Sequence, residues 1–233
     1  MGLSTNATLT HVAHEYAKVA ESFQQRRKWN EMSENELWEK LCLCILSSNV
    51  PYELALSVFW HLCNSQLLSQ EWIIRSKSAF QQIASELAKR KYLPRKKDGS
   101  YRKYRFPNIR AKNIVDAAKF LYEENCGLLK LLEEFNYKQE EARCSLARNI
   151  PGVGLKQASH FLRDIGYSST LAIIDSHVIA FLIEVGAVSE GKIKVVTPKI
   201  YIRLERVLRD LCNSFGFNLS IFDMAIWRYM RGQ

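Results

Sequence analysis

Apolar residues recur at helical spacing through most of this chain, and almost nowhere do they alternate as a half-buried strand requires. The stretch from about Leu9 to Gln25 shows the pattern first. Ser33-Glu-Asn-Glu36 is a capping box, in which a hydroxyl and a carboxylate satisfy orphan backbone N–H groups, so a second helix opens there and runs through Leu46. Ser47-Ser-Asn49 ends it, and Pro51 fits the first position of a helix reaching about Cys63. Further helices are expected near Ser78 to Lys89, Asn108 to Glu124, Gln139 to Arg148 and Lys156 to Ile165, the last closed by Gly166. Asp175 can cap a helix to Val185, Thr197-Pro198 opens another to about Asn213, and a last one runs from about Ser220 to Met230. The one strand candidate is a short ribbon around the hairpin-type turn Lys97-Asp98-Gly99-Ser100. The prediction is an all-α fold. No repeat and no Gly-, Ser- or Pro-rich linker divides the chain, so a single unit is expected.

Composition supports a sizeable core, with 47% apolar residues in a chain of 233. The formal charge of +9 is unevenly placed. Between Lys89 and Lys112 eleven Lys or Arg stand against one acid, Asp98, so this segment alone accounts for the whole surplus. Tyr92, Tyr101, Tyr104 and Phe106 are interleaved with those charges, a mixture suited to contact with a nucleic-acid backbone. The six cysteines are scattered, with no CxxC pair and no Cys/His spacing of the zinc type, so no metal site is expected and the thiols read as reduced. There is no basic-then-apolar leader and no apolar run long enough to span a bilayer. An intracellular setting (cytoplasm or nucleoid, or a nucleus) and no membrane partner are therefore expected.

Candidate chemistry concentrates in Asn149-Ile-Pro-Gly-Val-Gly-Leu-Lys156-Gln-Ala-Ser-His160 and, farther on, Asp175-Ser-His177. Pro151 fixes its own φ, while Gly152 and Gly154 accept backbone angles that a side chain resists, so a tight turn forms between two helices. Such a turn presents unpaired amides at a helix start, a natural seat for a phosphate. Lys156 falls in the first turn of the second helix, where the positive dipole end and an approaching strand both favour its neutral, nucleophilic amine. Asp175, after the apolar run Leu171-Ala-Ile-Ile174, can stabilise positive charge developing on a sugar ring and help move the lysine's proton. Each residue alone also fits a plainer role, Lys156 as a phosphate contact and Asp175 as a helix cap. The pair is what points to catalysis.

Ile150-Pro-Gly-Val-Gly-Leu-Lys156-Gln-Ala followed by Asp175-Ser-His177 resembles the helix-hairpin-helix superfamily of DNA glycosylases, in which a catalytic lysine follows the hairpin and a catalytic aspartate comes about nineteen residues later. The interval here is nineteen. Endonuclease III-like members typically carry a four-cysteine iron–sulfur cluster after the aspartate, whereas only Cys212 follows Asp175. Lys156-Gln-Ala-Ser-His-Phe-Leu-Arg163 looks most like the compact archaeal-type 8-oxoguanine DNA glycosylase/lyase, and the resemblance extends over about residues 35 to 233. Ile45-Leu-Ser-Ser-Asn49 is similar to the family stretch whose asparagine fills the space left by a flipped base. Phe106-Pro-Asn-Ile-Arg110 and Asp223-Met-Ala-Ile-Trp227 resemble two further family segments. The family usually ends in a lysine that helps to recognise the damaged base, while this sequence reads Gly232-Gln233.

The resemblance implies two helical subdomains, one of about residues 42–122 and the other of about 1–41 plus 123–233 with the hairpin at 149–166, and an active-site cleft between them. It implies a monomer that acts on double-stranded DNA with a damaged base, flipping the base out of the stack and removing it as glycosylase and β-lyase. Lys156 would attack and Asp175 assist. Asn49, Arg110, Gly152, Val153, Gly154 and His177 would contact DNA, and His160 and Trp227 would line the base pocket. No cofactor is required, although a monovalent cation on the hairpin carbonyls is compatible with the family. Two alternatives share parts of this pattern: a glycosylase/lyase for another oxidised base, and a non-catalytic helix-hairpin-helix module that binds DNA.

Overall fold

The computed structural model describes residues 3–189 and 196–232; the C-terminal Gln233 lies outside them. They form an all-α fold of twelve α-helices with one short 3-10 turn and one two-stranded ribbon. The first helix, α1 (Leu3–Gln24), starts several residues before the periodicity of its apolar face would place it.

The chain packs as two compact units, Trp29–Phe161 and Met1–Lys28 with Leu162–Gln233. The first holds α2 (Glu34–Leu46), α3 (Tyr52–Asn64), α4 (Gln70–Arg75), α5 (Ala79–Ala88), β1 (Arg90–Tyr92), β2 (Arg102–Lys103), α6 (Pro107–Tyr122), α7 (Gly127–Glu134) and α8 (Gln139–Asn149). Helix α9 (Leu155–Asp164) begins in it. These bounds differ from the expected 42–122 for a physical reason. The Glu34 carboxylate at the start of α2 accepts from the N–H groups of Leu128 (2.6 Å) and Leu129 (2.9 Å) and from the Tyr122 hydroxyl (2.8 Å), which ties α2 to α6 and α7. Around these bonds, Trp38, Leu41, Ile45, Leu62 and Leu121 make a dry core, and the indole N–H of Trp38 donates to the Leu68 carbonyl at 2.7 Å.

The local signals are realised in this unit. Ser33 and Glu36 form both halves of the capping box. Pro51 is the N-cap of α3 rather than its first helical residue. The ribbon exists, pairing Arg90 with Lys103 and Tyr92 with Arg102, and Gly99 takes the left-handed φ of +79° at its tip. Two short helices were not legible. Helix α4 is six residues long, and α7 has no capping side chain of its own because Glu34, 94 residues upstream of Leu128, does that work.

The second unit packs α1 with α10 (Ser176–Glu184), α11 (Pro198–Ser214) and α12 (Leu219–Arg231). Phe181, Leu204, Leu208 and Phe222 fill its core, and the Thr8 hydroxyl of α1 donates to Glu184 of α10 at 2.6 Å. Before α10 the chain is buried from Leu171 to Ile174 and forms neither helix nor strand.

Candidate active site

Helices α8 and α9 flank the turn Ile150–Gly154, which closes with Val153 N–H donating to the Ile150 carbonyl at 3.1 Å. Gly152 sits at φ +80°. A Cβ there would lie 2.7 Å from Cγ and 2.8 Å from Cβ of Asn113 on α6, so both its backbone angle and its neighbour require glycine. Val153 is buried and anchors the turn, while Gly154 is exposed. The N–H groups of Gly152 and Gly154, just before α9, make no hydrogen bond among the described residues. Lys156 is half-buried on the first turn of α9, and its amine has no hydrogen bond or ion pair among the described residues. His160 lies one turn farther along α9 and is also half-buried.

Asp175 is delivered by a segment whose backbone is satisfied by side chains instead of by a sheet. The Ala172 N–H donates to Glu205 at 3.0 Å, the Ile173 N–H to Asp223 at 2.6 Å and the Ile174 N–H to the Tyr201 hydroxyl at 3.3 Å. In return Tyr201 donates to the Ala172 carbonyl (2.8 Å) and Ser220 to that of Leu171 (3.1 Å). All four side chains come from α11 and α12 and are almost wholly buried. A buried peptide group left unpaired costs about 1–3 kcal/mol, so this set of bonds fixes where Asp175 begins α10. One Asp175 oxygen, Oδ1, accepts from the N–H groups of His177 (2.9 Å) and Val178 (3.0 Å). The other has no partner among the described residues. The plain capping role therefore uses one oxygen and leaves the second available.

Asp223 is itself held by Arg163 near the end of α9, whose Nη1 donates to it at 2.7 Å. Burial pushes the Asp223 carboxyl up to about 6, against the lowering pull of Arg163 and the Ile173 N–H. Burial works to lower Arg163, but Asp223 and Asp164 outweigh it and keep the guanidinium firmly charged. This ion pair therefore carries charge at neutral pH while anchoring the residue two before Asp175.

Asn49 is exposed in the left-handed region at φ +60°, projecting from the turn after α2. Arg110 does not stand open to a phosphate as expected. It is 7% exposed, and its Nη2 donates to the Ser48 carbonyl at 2.9 Å, because the start of α6 packs under that turn. Its place is that of a brace for Asn49. Trp227 is half-buried under the Arg231 guanidinium, 4.6 Å from its ring centre, on a depression of about 580 Å³ lined also by His11, His14 and Tyr229. Phe222 and Ile226, on the same stripe, are core.

Residues 17–217 match the 8-oxoguanine DNA glycosylase family with its helix-hairpin-helix motif. The 8-oxoguanine DNA glycosylase/AP lyase of Saccharolobus solfataricus is 32% identical over 216 residues, covering 91% of this chain and 90% of its own length. The chain belongs to the 8-oxoguanine DNA glycosylase family. Among solved structures, the Methanocaldococcus jannaschii 8-oxoguanine DNA glycosylase is 26% identical with a TM-score of 0.74, covering 100% of this chain and 99% of that one. The glycosylase/lyase of the same organism, in complex with a 15mer DNA containing 8-oxoguanine, has a TM-score of 0.72 at 26% identity and covers 93% and 91% of the two chains.

In this glycosylase the hairpin, Lys156 and His160 lie on one continuous stretch, Asp175 and His177 share one helix start, and Arg110 and Asn49 meet through Ser48. Trp227 lines a depression that neither Asp175 nor His177 lines. Glu205, Tyr201 and Ser220 escaped the sequence reading, as did the positioning role of Asp223. Glu205 beside Leu204 and Asp223 beside Phe222 do carry a signal: a charge in an apolar stripe is buried only with partners.

Proposed function

We propose that this protein is a bifunctional DNA glycosylase/AP lyase of base-excision repair that removes 8-oxoguanine from duplex DNA. The observation that carries the reading is Lys156 itself, an amine without an ion pair on the first turn after a glycine hairpin, nineteen residues ahead of an aspartate with one uncommitted oxygen. The unpaired N–H groups of the hairpin suit a DNA phosphate, which would set the register of the strand.

In this mechanism the Lys156 amine attacks C1′ of the flipped nucleotide. The C1′–N9 bond breaks, the base leaves with that electron pair and takes up a proton, and the lysine nitrogen loses its proton. The free Asp175 oxygen stabilises the positive charge of the oxocarbenium-like transition state and accepts the lysine proton. The sugar ring then opens to an imine between C1′ and Lys156. Loss of a C2′ proton expels the 3′ phosphate, and water releases the lysine. No step calls for a cofactor. The carbonyls of Pro151, Gly152 and Val153 accept no hydrogen bond among the described residues, and oxygen donors of this kind fit a monovalent cation, which would add positive charge beside the phosphate. His177, at the start of α10, would add a phosphate contact, and the enzyme would act as a monomer on double-stranded DNA inside the cell.

A panel of duplexes, each with one defined lesion, tests the substrate. Cleavage is expected chiefly at 8-oxoguanine. Preferential cleavage at an oxidised pyrimidine would reassign the lesion, and binding without cleavage anywhere on the panel would leave a DNA-binding module.

A further inference from the structure

The basic segment has no part in the chemistry above, yet it is built as carefully as the hairpin. Its root is fixed. Tyr104 is buried, and its hydroxyl donates at 2.6 Å to the Leu46 carbonyl at the end of α2, three residues before Asn49. Tyr92 is buried likewise, bonded through its hydroxyl to the Glu86 carbonyl at 2.5 Å, and the Leu93 N–H donates to Ser57 of α3 at 3.0 Å. The ribbon and the Asn49 turn are thus parts of one packed body.

Its outer surface is exposed and cationic. Arg90, Lys96, Lys97, Lys103 and Arg105 are exposed, and none makes an ion pair with an acid within 4.0 Å among the described residues, although Lys96 lies close enough to Asp98 to help the Ser100 bonds hold its carboxyl below the ordinary value. Asp98 at the tip is occupied by the Ser100 N–H (2.9 Å) and hydroxyl (2.6 Å), and Glu86 at the root is occupied by Lys89 and Lys91. Arg90 and Lys103 are paired directly across the ribbon, an arrangement of like charges that destabilises an isolated pair and that a polyanion relieves. Arg95 lies over the Tyr101 ring at 4.2 Å, with Nη1 bonded to the Gly99 carbonyl and Nη2 to the Tyr101 hydroxyl, so its guanidinium is held before any ligand arrives. A groove of about 460 Å³ runs from Asn49 and Pro51 to Arg102, Lys103 and Arg105.

We propose that this ribbon is a second DNA-binding surface, which grips the phosphate backbone of the duplex beside the turn carrying Asn49. The inference rests on the reading of the protein as an enzyme of duplex DNA. The anchored tyrosines keep the ribbon in register with Asn49, and its lysines supply sequence-independent affinity while taking no part in bond breaking.

The test is a salt titration of duplex binding by fluorescence anisotropy, comparing wild type with Lys96→Ala/Lys97→Ala/Lys103→Ala and with the matching triple Arg variant, on duplexes with and without 8-oxoguanine. Each phosphate that a cation no longer neutralises makes the slope of log K against log salt shallower by about 0.9, so the Ala variant should be shallower by roughly 2 to 3 on both duplexes. The Arg variant should retain the wild-type slope. Borohydride trapping of the Ala variant at saturating 8-oxoguanine duplex should stay within about twofold of wild type, a split expected of groups that position phosphate only. An unchanged slope overturns the proposal, and so does a loss of trapping at saturation. Absence of trapping in the wild type would strike the glycosylase/lyase reading instead, since the slope can still be measured on the lesion-free duplex.

Discussion

Gly152→Ala makes a quantitative test of the hairpin. The residue adopts φ +80°, which costs a residue with a Cβ roughly 1–2 kcal/mol. The new methyl would also lie 2.8 Å from Cβ of Asn113, an atom that no rotamer change removes, and such overpacking adds about 1–3 kcal/mol. The expected loss is therefore roughly 2–5 kcal/mol, and at about 2–4 °C per kcal/mol for a chain of this size the melting temperature should fall by roughly 4–20 °C. Asn113→Gly takes the obstacle away. Alone it costs about 2 kcal/mol, from glycine inside a helix and from the bonds to the Ile109 carbonyl and Arg110 Nη1 (both 3.2 Å) that the amide makes once its oxygen and nitrogen are exchanged, the orientation in which both atoms are satisfied. Combined with Gly152→Ala it should recover the steric part, leaving a coupling energy of about 1–3 kcal/mol in urea denaturation of the four proteins. Coupling below about 0.5 kcal/mol would refute the claim that Asn113 and Gly152 are fitted to each other.

Tyr201→Phe deletes the hydroxyl that both donates to the Ala172 carbonyl and accepts from Ile174; a loss of about 1–3 kcal/mol in denaturant is expected, with single-turnover base excision slowed further than the fraction unfolded explains. Wild-type excision rates in the folded variant would remove Tyr201 from the positioning of Asp175. Burial works to raise the Glu86 carboxyl, but Lys89 and Lys91 outweigh it and hold it below the ordinary 4.5. A depressed carboxylate stabilises the fold above its unfolded value and loses that contribution as pH falls through the folded one, so stability should drop below about pH 4.5. Glu86→Gln should flatten that limb and cost about 1 kcal/mol at pH 7, and identical acid limbs in the two proteins would contradict the assignment.

Asp175 as an N-cap, the capping box at Ser33 and the glycine turn before Lys156 were all readable because each depends on residues within three or four positions. What holds Asp175 in place was not, since Ala172, Ile173 and Ile174 find their partners 33, 50 and 27 residues away, on helices whose approach no local pattern encodes. The same distance effect hid α7, capped by Glu34, and shifted the unit boundary from residue 42 to Trp29. Arg110 misled for the opposite reason. It belongs to the basic run and to a segment that resembles a family helix start, so a DNA contact is expected of it, yet its guanidinium turns inward to the Ser48 carbonyl. Charge density along a sequence reports a surface only where each charge is also exposed, as it is for Lys96 and Lys97 and not for Arg110.

The central claim is that Lys156 forms the covalent bond. Wild type and Lys156→Gln, each shown to be folded and to bind an 8-oxoguanine duplex, are incubated with that duplex and borohydride, and the trapped protein–DNA adduct is quantified on a denaturing gel. Wild type should give the adduct, and the variant should give none while retaining duplex affinity. An adduct of wild-type yield in Lys156→Gln would place the nucleophile elsewhere and contradict the mechanism.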